Sequence, residues 1–236
     1  MIEVKDIVKV YAGKAVVNVP QLEIKAGESI GLVGNNGAGK TTLFRMVLDL
    51  IRADKGEILS KGQIVAGNEH WKNYTAAYLD EGFLIDYLTP EEYLYFIGGL
   101  NGESKAHVDD FLTTLAEFFN GEILKRGKYI RDLSKGNQAK VGIAACLLQK
   151  PELLMLDEPF ANIDPSTQIR LKNILKELSS QRGVTTIVSS HDLNHITDVS
   201  DRIILMEKGV IIKDIATGSS TLAELEDYFA VGQSFE

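Results

Sequence analysis

Apolar residues recur along the chain with two different periods. At 2–10 they alternate with polar residues, as in a half-exposed strand. Residues 15–19 and 22–25 read as two further strands, and 57–59 with 63–65 flank Ser60-Lys61-Gly62 as a hairpin. The apolar stretches at 28–33 and 75–79 read as short strands. From Thr89-Pro90-Glu91-Glu92 the period turns helical. Val108, Phe111, Leu112, Leu115 and Phe119 then share one face of a single predicted helix. A looser, basic connection at 121–131 leads to Ser134, which can cap a helix whose body, 141–148, is apolar nearly all round. Such a helix is buried, and Pro151 ends it.

Strand and helix alternate again after that. Strands are predicted at 153–156 and 184–189, helices at 165–181 and 191–199, a hairpin at 202–213 and a closing helix at 222–229. Buried strands alternating with helices predict an α/β fold with a mostly parallel sheet, an antiparallel β portion and a helical insertion. The expected layout is a single domain whose core is 1–81 with 151–236, and whose helical subdomain is 82–150.

Composition narrows the partners. The 236 residues are 44% hydrophobic and 25% charged, as in a globular domain, and the net charge of −8 disfavours non-specific nucleic-acid binding. The one cysteine, Cys146, has no internal disulfide partner, which fits a reducing cytosol. The first residues carry no signal-peptide pattern, and no apolar run approaches the ~20 residues that span a bilayer. The expected location is cytoplasmic, so a role at a membrane needs another polypeptide to cross it.

The chemistry centres on Gly34-Asn35-Asn36-Gly37-Ala38-Gly39-Lys40-Thr41-Thr42, between a predicted strand and a predicted helix. This is G-x-x-x-x-G-K-[ST] in the context that gives it a mechanism. Backbone N–H groups and the helix dipole cradle phosphates, Lys40 reaches the β- and γ-phosphates, and the Thr41 hydroxyl ligates Mg²⁺. Gly34, Gly37 and Gly39 are expected to supply positive φ values. Farther on, an apolar strand ends in Asp157-Glu158, at the sheet edge where ligands bind. There Asp157 can help hold Mg²⁺ and Glu158 can accept a proton from an attacking water. Leu133-Ser134-Lys135-Gly136-Asn137-Gln138 opens the buried helix and makes a second anion-binding terminus.

These stretches in this order resemble the ATP-binding cassette (ABC) family over nearly the whole chain. Lys40 and Thr41 match its Walker A positions, Asp157 and Glu158 its Walker B and catalytic glutamate, and Leu133 to Asn137 its signature. Ala161-Asn162-Ile163-Asp164 is similar to the D-loop, His191 to the switch histidine that contacts the γ-phosphate, and Tyr11 to the aromatic that stacks on adenine. Lys135 and Asn137 depart from the signature, and Glu81 stands at the usual Q-loop glutamine, beside the Mg²⁺. Such Lys and Glu variants resemble the bacterial exporter branch.

The resemblance implies an ATPase using ATP and Mg²⁺, a P-loop NTPase core, and a head-to-tail dimer, homo- or heteromeric. In that dimer Ser134, Lys135, Gly136, Asn137 and Gln138 of one copy face the nucleotide of the other. It implies an integral membrane permease as partner, with the chain on the inner face of the membrane. A soluble family member acting on DNA or the ribosome is the alternative. It is disfavoured by the acidic balance, the absence of a long heptad run and the presence of one cassette rather than two. A P-loop kinase leaves the Leu133-Ser134 motif unexplained. Residues 81–88 join the core to the insertion and read either as core filler or as a groove for a short permease helix.

Overall fold

The computed structural model describes residues 1–79 and 83–232, with side chains through residue 230. The chain starts with β1 (Ile2–Tyr11) and β2 (Lys14–Ile24), an antiparallel pair. Pro20 marks a break between two predicted strands, yet β2 runs straight through it. The pairing passes from Lys5–Gln21 to Ile7–Val19 and omits Asp6, whose φ is 49°. Pro20 therefore stands opposite Asp6 in unbroken register on an edge strand, where its missing N–H need not break an interior ladder.

β3 (Ser29–Val33) and α1 (Lys40–Val47) follow, then the hairpin β4 (Lys55–Ser60) and β5 (Gln63–Ile64), and β6 (Thr75–Tyr78). Next come α2 (Pro90–Leu100), α3 (Lys105–Thr114), α4 (Ala116–Phe119) and α5 (Lys135–Leu148). Thr89 and Glu92 form a reciprocal capping box at the start of α2. The single helix expected over 108–119 is instead two, because Thr113 and Thr114 turn their hydroxyls back onto the Asp109 and Phe111 carbonyls, at 3.0 and 2.7 Å, just before the break.

The last part alternates β7 (Leu153–Asp157), α6 (Pro165–Arg182), β8 (Thr185–Ser190), α7 (Leu193–Val199), β9 (Arg202–Glu207), β10 (Val210–Ala216) and α8 (Thr221–Gly232). The expected α/β fold is present. One sheet has the order β10-β9-β3-β8-β7-β6, all parallel except β10; the other, β2-β1-β4-β5, is antiparallel.

Strand periodicity divides the interior into two cores. Ile30, Leu32, Met155, Ile187 and Ile204 face α1 and the antiparallel sheet, whereas Val33, Leu154, Leu156, Val188 and Ile203 face the helical side. α5 is buried there as expected, and a Cβ on its Gly142 would stand 2.5 Å from the Tyr78 ring. That close packing ties the helical region to β6, next to the strand that carries Asp157.

Candidate nucleotide site

β3 delivers the chain into the glycine loop, and two hairpins hold the loop from behind. Gly209, in the turn between β9 and β10, donates its N–H to the Ala38 carbonyl at 2.9 Å, and Asn18 of β2 donates to the Gly209 carbonyl at 2.7 Å. Gly37 and Gly39 adopt φ of 81° and 105°. Gly34 does not use positive φ, contrary to expectation. It is glycine because a Cβ would stand 2.3 Å from the Met206 carbonyl oxygen of β9. Asn35, Asn36 and Gly37 are exposed, Ala38 is buried, and Gly39, Thr41 and Thr42 are half-buried. Gly39 caps α1 with no side-chain acceptor, so the first N–H groups of the helix are left to bind an anion.

Lys40 is buried; its ammonium donates to the Gly34 carbonyl at 2.6 Å and lies 3.4 Å from Glu158 Oε1. The sheet brings the distant carboxylates here because β7 lies one strand from β3, across β8. Thr41 donates its hydroxyl to Asp157 Oδ2 at 2.5 Å, and Ser189 of β8 donates to Oδ1. Burial pushes the Asp157 carboxyl above the ordinary range, opposed by the bonds from Ser189 and Thr41, raised further by Glu158 and lowered by Lys40. Glu158 takes φ of 49°, a strained setting for a residue with a Cβ, fixed by N–H bonds to Ser189 O at 3.2 Å and Oγ at 3.0 Å. Its Oε2 lies 2.9 Å from His191 Nδ1, while Oε1 is buried and accepts no hydrogen bond among the described residues. His191 precedes α7 rather than opening it, since Asp192 is the cap.

The donor set suits Mg²⁺. Thr41 and Asp157 present two hard oxygen ligands side by side, the number this ion takes from protein when phosphates and water complete its shell. Glu81, the third expected ligand, lies outside the described residues. Tyr11 ends β1 half exposed, with the Lys9 ammonium 5.3 Å from its ring centre.

Ser134 caps α5, accepting the Asn137 N–H at 3.2 Å, and it is exposed with Lys135. Gly136 is buried against the D-loop, where a Cβ would stand 2.1 Å from the Asn162 carbonyl oxygen. Asn162 is half-way along Ala161-Asn162-Ile163-Asp164 with φ of 61°, and Asp164 caps α6. Gln138 differs from the expectation that it faces a nucleotide. Its amide is buried and donates to the Ile130 and Leu133 carbonyls at 3.1 and 3.2 Å, so it braces the loop from inside. Two contributors escape a reading of the sequence. Ser189, which orients Asp157, belongs to an ordinary β-branched strand pattern, and buried Lys140 has no local motif.

Comparison with known proteins bears on all of this. The family model described as ABC transporter matches residues 17–161. The bacitracin transport ATP-binding protein BcrA of Enterococcus faecalis is 32% identical over 91% of this chain and 69% of its own. The oligopeptide transport ATP-binding protein OppF of Streptococcus pyogenes serotype M1 is 30% identical over 97% of this chain and 76% of its own. A solved ATP-binding subunit of an ABC transporter superposes with a TM-score of 0.82 at 27% identity, covering 98% of this chain and 94% of that one. The dimeric cassette MJ0796 bound to ADP and Pi shares the fold, with a TM-score of 0.80 at 22% identity over 93% of this chain and 100% of that one.

Proposed function

The chain belongs to the ABC transporter family as an ATP-binding, ATP-hydrolysing subunit, and from that premise we propose that it powers a membrane exporter as a head-to-tail dimer enclosing two ATP molecules. The observation that carries the chemistry is the convergence of Lys40, Thr41, Asp157, Glu158 and His191 at one sheet edge. The loop N–H groups, Lys40 and Thr42 hold the triphosphate, and Tyr11 stacks on adenine. Thr41 and Asp157, with Glu81, hold Mg²⁺, which when bound neutralises charge on the β- and γ-phosphates. Glu158 orients the attacking water and takes its proton, while His191 keeps Glu158 in place and meets the γ-phosphate.

Residues 82–150 form the helical subdomain of this unit. Its exposed Ser134 and Lys135 complete the site of a second copy. Export is supported by the variant residues Lys135 and Glu81, and a role in transport by similarity to the bacitracin and oligopeptide transport proteins. Contact with a permease is supported by residues 83–88, where Phe83, Ile85 and Tyr87 are exposed and Leu84 is buried. The Arg131 guanidinium lies 5.0 Å from the Tyr87 ring centre and 5.3 Å from that of Tyr129, and Arg131 donates its N–H to the Asp86 carbonyl. This surface fits a short amphipathic helix of the permease. Among the described residues no helix is long and apolar enough to cross a membrane. In this reading the permease holds the chain at the inner membrane face.

The test uses tagged heterodimers carrying Lys40→Ala and Ser134→Arg. Placed on different chains, the two changes leave one intact shared site and about half the activity. Placed on one chain, they leave none. Activity confined to the second arrangement would contradict the shared site.

A further inference from the structure

We propose that Lys140 is a positioning residue that locks the signature loop and the D-loop of one chain into a single rigid block. The inference rests on the shared-site dimer above, and it concerns a residue of α5 just beyond Gln138.

Lys140 lies in α5, one and a half turns beyond Ser134, and is only 1% exposed. A buried ammonium needs a paired charge. Its Nζ lies 3.1 Å from Asp164 Oδ2, the last residue of the D-loop, and 3.6 Å from Glu122 Oε2. Asp164 is itself fixed, since Ser166 Oγ, Thr167 Oγ1 and Thr167 N–H donate to it at 2.5, 2.6 and 3.0 Å. Those hydroxyls first, and Lys140 after them, hold its carboxyl well below the ordinary range, so the aspartate stays charged. A second contact joins the same two loops independently. Gly136 packs so closely on Asn162 that no Cβ fits between them.

The loops are therefore tied at both ends of the contact, at Gly136–Asn162 by shape and at Lys140–Asp164 by charge. A block of this kind cannot move its signature end without moving its D-loop. Ser134 then meets a partner's phosphate at a fixed angle, and any displacement caused there reaches the strand end that bears Glu158. Without Lys140 the Ser134 end is free to tilt, and the cost falls on the partner's nucleotide rather than on the chain's own.

The experiment pairs Lys140→Met with Lys40→Ala in tagged heterodimers, with Ser134→Arg run in the same two arrangements as the reference. Methionine keeps the volume of the buried stem and removes the charge. With both changes on one chain, kcat is expected to fall at least tenfold below the arrangement that splits them, with unchanged ATP affinity. Lys140→Arg in the same arrangement is expected to restore kcat to within twofold. Asp164→Asn, which keeps the oxygen that caps α6, is the second variant, with the same expected pattern should Lys140→Met melt early. Equal activity in the two arrangements, or failure of arginine to restore it, overturns the positioning role while Ser134→Arg still reports a shared site. If Ser134→Arg itself affects only its own chain's site, the dimer reading falls and this proposal falls with it.

Discussion

His191 holds its ring Nδ1 2.9 Å from Glu158 Oε2. A carboxylate only accepts, so the ring proton is on Nδ1 and Nε2 is left for another partner. Lys40 lies 3.4 Å from the other carboxylate oxygen, so Glu158, at strained φ, is pinned between the lysine and the histidine. Both neighbours are groups that a γ-phosphate would engage.

Replacing His191 with alanine is expected to lower the ATPase rate by about 10²-fold, in the range found for removing one positioned donor. ATP affinity should change little, because the loop and Lys40 supply most of the phosphate contacts. Steady-state kinetics with an equilibrium binding measurement separates the two.

Asp157→Asn is expected to stabilise the protein at neutral pH while abolishing Mg²⁺-dependent turnover. Burial raises the Asp157 pKa in the folded state, so ionisation costs stability as pH rises from the unfolded-state value through the folded one. Below the ordinary carboxylate range both variants are neutral there, and the gap in melting temperature should close. Melting curves across the acid range check the sign.

Tyr11→Ala is expected to weaken ATP and GTP together, by about 1–3 kcal/mol, since stacking on a π-face is insensitive to base identity. The side chain is 49% exposed, so it is not a core residue and the melting temperature should hold. Early melting with unchanged nucleotide affinity would contradict the stacking role.

Phe83→Ala and Tyr87→Ala distinguish the two readings of the joining segment. At 56% and 69% exposed, these residues fill no core, so truncation should change stability by no more than about 0.5 kcal/mol. Soluble ATPase should persist and recovery with detergent-solubilised membranes should fall. A loss of melting temperature and ATPase in parallel would place them in the core after all.

What could be read from residue order and what could not divide along physical lines. The loop, Asp157 and Glu158 are legible because a strand, a glycine turn and a helix start are local events, and the parallel sheet then brings them together. Gly34 is misread because its reason is the Met206 carbonyl, a contact made by a residue 172 positions away in sequence. Pro20 misleads because its tolerance depends on lying at a sheet edge. Gln138 and Lys140 belong to one helix and point to opposite tasks, one bracing a carbonyl pair and one holding the D-loop. Only tertiary packing assigns them.

The most direct measurement is the solution mass of the Glu158→Gln variant with and without Mg-ATP, by light scattering, alongside its turnover. The amide keeps the shape of the site and removes the base, so turnover should fall ~10²–10⁴-fold with ATP still bound. The account predicts a shift from the mass of one chain to that of two when Mg-ATP is added. A variant that binds ATP yet stays at the mass of one chain, or that keeps more than half of the wild-type rate, would contradict it.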